Sequence, residues 1–125
     1  MKKVIATKKA PAAVGPYSQA VFAGDVLFIS GQIPLDPATG QLVESDIRAQ
    51  AKRSMDNIGA ILADAGLEFK DIVKTTILLT DIADFAAVNE VYAAYFAEDP
   101  PARACFAVTA LPKGAHIEIE AIAQK

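Results

Sequence analysis

The chain has 125 residues, 53% of them hydrophobic but none of them tryptophan, and a formal net charge of −3. That length suits a single domain spanning residues 1–125, and the acidic balance excludes a phosphate-tracking surface, which needs clustered Lys and Arg. Some of the high apolar content is expected to lie in a subunit interface.

The basic pairs Lys2-Lys3 and Lys8-Lys9 leave only Val4 to Thr7 between them, too short for a signal-peptide core. No apolar run reaches the roughly 18 to 20 residues of a membrane span. One cysteine cannot form an internal disulfide, so a cytoplasmic, reducing environment is expected.

Val4 to Thr7 reads as a short edge strand, followed by a loop that Pro11, Gly15 and Pro16 keep irregular. Tyr17 to Ala23 and Val26 to Ser30 read as two strands of a hairpin turning at Gly24-Asp25. From Asp46, the apolar residues Ile47, Ala51, Met55, Ile58, Leu62 and Ala65 recur at helical spacing, with Gly66 at the C-terminal cap. Ile72 to Thr80 is β-branched and nearly continuously apolar, as in a central strand covered on both faces. Asp84 is placed to cap a second helix carrying Phe85, Val88, Tyr92, Tyr95 and Phe96 in one stripe, ended by Pro100-Pro101. Two strands complete the chain, Ala102 to Leu111 and His116 to Ala123. The order β-β-α-β-α-β-β predicts an α+β fold in which two helices pack on one face of a mixed β-sheet. The other face is left for a partner subunit.

Charge inside strands is the main chemical clue, because an unpaired charge is costly to bury. Alternation puts Arg103, Cys105, Ala107 and Thr109 on one face of their strand, and His116, Glu118 and Glu120 on one face of the last. Arg103 either pairs with a structural carboxylate or grips a ligand carboxylate with its planar fork. A strand glutamate is ordinarily a solvated edge, but beside a cation it stays ionised and can orient water. If the last two strands form an antiparallel pair, Arg103 and Glu118 lie at opposite ends, roughly 15 to 20 Å apart, and a site using both must form between subunits. A single histidine and a single cysteine argue against a clustered zinc site, and neither common glycine-rich phosphate loop is present.

Six separated stretches, in order, resemble the RidA (YjgF) family of enamine/imine deaminases. They are Gly15-Pro16-Tyr17-Ser18-Gln19-Ala20, Ile29-Ser30-Gly31-Gln32-Ile33-Pro34, Ile72-Val73-Lys74-Thr75-Thr76, Asp84-Phe85 with Val88-Asn89, Pro101-Ala102-Arg103 with Cys105, and Leu111-Pro112-Lys113 through Ile117-Glu118-Ile119-Glu120 to Ala123. The resemblance implies a chorismate-mutase-like fold, a homotrimer with sites between subunits, and hydrolysis of 2-iminobutanoate and 2-iminopropanoate to 2-oxo acids and ammonia. It implies that Arg103 holds the substrate carboxylate, that Glu118 positions water, and that Tyr17, Ser30, Gly31, Asn89 and Cys105 line the pocket. No metal or organic cofactor is implied. The compact acidic stretch Ala97 to Pro101 departs from relatives with a longer, aromatic segment there. A non-catalytic metabolite-binding or chaperone-like module using the same pocket is the alternative.

Overall fold

The first helix begins and ends where its capping chemistry dictates. Asp46 accepts a hydrogen bond from the Ala49 backbone N–H at 3.2 Å and starts α1 (Ile47–Asp64). Past Ala65, Gly66 adopts φ +77°, a left-handed conformation that favours glycine. The N–H groups of Leu67 and Gly66 then bond back to Leu62 and Ala63 at 2.8 and 3.0 Å, closing the terminus.

In the computed structural model, which describes residues 2–125, six strands form one mixed sheet. Residue 1 of the expected domain lies outside the described residues. The strands are β1 (Lys2–Ile5), β2 (Ala20–Ala23), β3 (Val26–Gln32), β4 (Ile72–Leu79), β5 (Ala102–Ala107) and β6 (Ile117–Gln124), with α2 (Phe85–Ala93) between β4 and β5. Across the sheet their order is β1-β2-β3-β6-β4-β5. Every neighbouring pair is antiparallel except β4 and β5, which run parallel through the α2 crossover. The α+β architecture with two helices is as the sequence predicts.

The expected pairing of the last two strands is not. β6 inserts between β3 and β4, and β5 lies beyond β4 at the sheet's edge. The reason is burial: Ile117, Ile119, Ala121 and Ala123 of β6 need a place under the helices, which an edge position would not provide. All four are at most 3% exposed and join Ile58, Ile61, Ile77 and Leu79 in the core. Truncating any of these isoleucines to alanine would cost about 2 to 5 kcal/mol.

β4 is covered on one face only. Ile72, Thr75, Ile77 and Leu79 are buried under the helices, while Lys74, Thr76 and Leu78 are half-exposed on the opposite face. That open face also carries Phe28 and Phe106, 44% and 50% exposed. The second helix is shorter than expected and ends at Ala93, so Tyr95 and Phe96 leave its stripe and pack on Phe69, with ring centroids 5.0 and 6.0 Å away. Asp84 stands at the N-cap position of α2 without a side-chain capping bond. Asp81 instead accepts from the Ala83 N–H at 2.9 Å.

One buried amide fastens the first loop to the sheet. Gln19 Oε1 accepts from the Thr7 N–H at 2.7 Å, and its Nε2 donates to the carbonyls of Thr7, Ala10 and Pro11 at 3.0, 3.4 and 2.7 Å. Replacing Gln19 with leucine orphans these backbone groups, so Gln19→Leu is expected to lower the stability by about 2 to 3 kcal/mol, read as a denaturant midpoint shift at constant slope.

Candidate functional site

The two charged residues singled out in the sequence lie on opposite faces of the same sheet. Arg103 is level with Thr75, whose side chain is fully buried beneath the helices, so Arg103 emerges on the helix side. Glu118 is level with Leu78 and flanked by the buried Ile117 and Ile119, so it emerges on the open side. Along β4 their levels differ by three residues, about 10 Å, and β5 and β6 are two strand spacings apart, about 9.6 Å. They do not meet within one chain, although the cause is strand order and face rather than the two ends of a hairpin.

On the helix side, Arg103 Nη1 donates to Asn89 Oδ1 at 2.7 Å. Its guanidinium carbon lies 5.4 Å from the ring centre of Phe85 and 5.1 Å from that of Tyr92. Arg103 has no carboxylate partner among the described residues. A cleft of about 510 Å³ opens here between Asn89, Tyr92, Phe96, Pro100, Pro101 and Arg103. Pro100 and Pro101 belong to the compact acidic stretch, which thus forms part of its wall. Cys105, level with the buried Ile77, shares this side. Burial pushes its thiol pKa up, partly offset by the charge of Arg103. A thiol kept protonated is no nucleophile at neutral pH.

The other candidate residues gather near Glu118. Ile29 pairs with Ala121 and Gln32 with Ile119, so β3 advances three residues where β6 advances two. This bulge lets Ile29 and Gln32 both point into the core and leaves Ser30 and Gly31 together between them. Gly31 is needed because Glu118 lies against it: a Cβ built there would overlap the carboxylate and come within 2.7 Å of its Cδ. The Ser30 hydroxyl donates to the Ser18 carbonyl at 2.6 Å, so its proton is committed and its free lone pairs make it an acceptor. Tyr17 is exposed, its hydroxyl 3.4 Å from the Val14 N–H. With Val14, Gly31, Pro112 and Lys113 it lines a second cleft, of about 240 Å³. Lys113 holds φ +58°, unusual for a residue with a side chain.

Glu118 and Glu120 are not equivalent. Glu120 is exposed, whereas Glu118 is half-buried, and burial, with the charge of Glu120 adding to it, pushes its pKa up. His116 serves structure: its N–H donates to Gln50 Oε1 at 2.9 Å, and its Nδ1 lies 3.3 Å from Thr80 Oγ1. Tyr92 and Phe85 are the neighbours of Arg103 that sequence reasoning missed, because both passed for core members of an apolar helical stripe. The available signal was the polar Asn89 between them, at a spacing that places Phe85, Asn89 and Tyr92 on one face of α2.

The profile of a family described as Endoribonuclease L-PSP matches residues 7–125. The chain is 54% identical over 123 residues to the 2-iminobutanoate/2-iminopropanoate deaminase of Bos taurus, covering 98% of this chain and 90% of that one. Among solved structures it is similar to E. coli TdcF with bound serine, at TM-score 0.94 and 46% identity, and to the E. coli YjgF gene product, at TM-score 0.94 and 50% identity. Each comparison covers 98% of both chains. A six-stranded mixed sheet backed by two helices is thus an architecture shared with a known group. The chain belongs to the Endoribonuclease L-PSP family, the RidA/YjgF group that its motifs resemble. Among the described residues, no helix is long and apolar enough to cross a membrane.

Removing the charge of Glu120 while keeping its shape takes away the second cause of the Glu118 shift and leaves burial, the first. In Glu120→Gln the titration midpoint of Glu118, followed by carboxyl-carbon NMR, is therefore expected to move down from its position in the wild-type protein.

Proposed function

We propose that this protein is an enamine/imine deaminase that hydrolyses 2-iminobutanoate and 2-iminopropanoate to 2-oxo acids and ammonia, at sites shared between copies of a homotrimer. The observation that carries the reading is the division of the machinery: an unneutralised Arg103 on the helix side of an edge strand, and a half-buried Glu118 on the open face of the same sheet. The open face offers Phe28, Leu78 and Phe106 as apolar surface for a second copy. A copy packed there can bring its Arg103 toward Glu118 of its neighbour. That charge would counter the burial that raises the Glu118 pKa.

In this site Arg103 holds the substrate carboxylate through its free N–H groups, as a point of attachment that does not react. A relative's structure holds serine, which carries the same kind of carboxylate. Glu118 accepts a proton from water as the water oxygen adds to the carbon of the protonated imine, whose C=N electron pair moves to nitrogen and leaves an amine. The same carboxyl then returns its proton to that nitrogen, the C–N bond breaks with its electron pair leaving on ammonia, and the hydroxyl oxygen gives its proton to the released ammonia as the 2-oxo acid forms. A carboxyl on which burial and a neighbouring cation act in opposite directions can take up the proton in one step and return it in the next. The backbone at Cys105 and Gly31, the amide of Asn89, the hydroxyl of Tyr17 and the acceptor oxygen of Ser30 line the pocket. The reaction calls on no cofactor or metal, and residues 1–125 act as one domain working in the cytoplasm. A nuclease reading gains nothing from a chain of net charge −3.

Adding the protein to a threonine dehydratase assay is expected to speed the release of 2-oxobutanoate, and Arg103→Ala to reduce the gain by about 10²-fold. Gly31→Ala, which displaces the Glu118 carboxylate rather than the backbone, is expected to lower activity while leaving the thermal midpoint nearly unchanged. Sedimentation should give three times the mass of the chain. Co-refolding inactive Arg103→Ala and Glu118→Gln copies in equal amounts should restore roughly a quarter of wild-type activity, because sites receive one intact residue from each copy. Absence of recovery would overturn the shared site.

A further inference from the structure

Arg103 is held by an unusual set of neighbours. The one hydrogen bond it makes among the described residues goes to a neutral amide, and its guanidinium carbon lies over two aromatic rings, 5.1 Å from the centre of Tyr92 and 5.4 Å from that of Phe85. These contacts orient a guanidinium without neutralising it. A carboxylate in the same place would hold it as firmly but compete with a ligand for the same N–H groups. Of the five N–H donors of an arginine, one is used among the described residues, so four remain for a ligand.

Of the two rings, Tyr92 is the one fixed to the protein's interior. Its side chain is buried, and its hydroxyl lies 2.7 Å from Thr75 Oγ1, itself fully buried in β4. Thr75 is also the residue level with Arg103 in the parallel register. The chain β4 hydroxyl, α2 ring, β5 guanidinium therefore runs from the core outward through three elements. We propose that Tyr92, braced by Thr75, is a positioning residue for Arg103, setting the plane of its guanidinium so that the free N–H edge faces a carboxylate ligand. Phe85, partly exposed, supplies the second ring. The inference rests on the reading of Arg103 as the carboxylate holder.

Two measurements test it. The Arg103 Nε–Hε resonance of the wild-type protein should carry a ring-current shift that is lost in Tyr92→Leu and kept in Tyr92→Phe. Affinity for 2-oxobutanoate, measured by calorimetry, should fall about tenfold in Tyr92→Leu, and less in Tyr92→Phe and Thr75→Val, which loosen the brace but keep the ring. In an Arg103→Ala background, Tyr92→Leu should cause no further loss of affinity. Phe85→Leu, at a partly exposed position that does not endanger folding, should repeat the coupling more weakly. An unchanged Arg103 resonance in Tyr92→Leu, or an equal loss of affinity with and without Arg103, would overturn the positioning role. The resonance does not depend on turnover. A protein with the ring-current signature but no deaminase activity would therefore leave Tyr92 in place and count against the enzymatic reading alone.

Discussion

Two-residue alternation along β6 is the constraint on which the rest of this molecule depends. Ile117, Ile119, Ala121 and Ala123 must lie under the helices, and this pulls β6 into the middle of the sheet between β3 and β4. Glu118 and Glu120 then have no choice but the open face. β5 is displaced to the edge, and Arg103, in register with Thr75, turns toward α2. A hydrophobic requirement thereby separates the two charges that the chemistry would combine.

Each half of that separation is incomplete in its own way. The arginine side has a cation, a neutral hydrogen-bond partner, aromatic walls and a cleft, but no nearby acid to move a proton. The glutamate side has an acid lodged over a glycine at a strand bulge, a committed serine hydroxyl, an exposed tyrosine and Lys113 along the same cleft, but among the described residues no guanidinium to grip a carboxylate in two parallel hydrogen bonds. Burial makes the acid reluctant to ionise, while the exposed Glu120 beside it adds to that reluctance. An oppositely charged group brought to this face would relieve both effects.

Local features of this fold were legible in the sequence because they have local causes. Asp46 and Gly66 bracket α1, Gly24 turns a hairpin, and alternation alone placed Arg103 with Cys105 and Glu118 with Glu120. Strand order was not legible, since the pairing of β6 with β3 and β4 joins residues far apart in the chain and leaves no mark in short-range pattern. Alternation says that two residues share a face but not which face meets the helices. The distinction between Glu118 and Glu120, which the family resemblance supplied, gains its physical basis from the partial burial of Glu118 and its contact with Gly31. Tyr92 went unremarked as a functional neighbour because a tyrosine in an apolar stripe looks the same whether its ring packs on a leucine or on a guanidinium.

The extra residue in β3 bears on how such a chain tolerates change in length. With one residue fewer at the Ser30-Gly31 step, β3 and β6 would advance together, Gln32 would still point inward opposite Ile119, and a single residue would stand between Ile29 and Gln32 on the open face. Such a deletion would leave the core beneath undisturbed and take away either the Ser30 hydroxyl or the flat seat on which Glu118 rests. The extra residue thus belongs to the site and not to the core, which a regular ladder would fill as well.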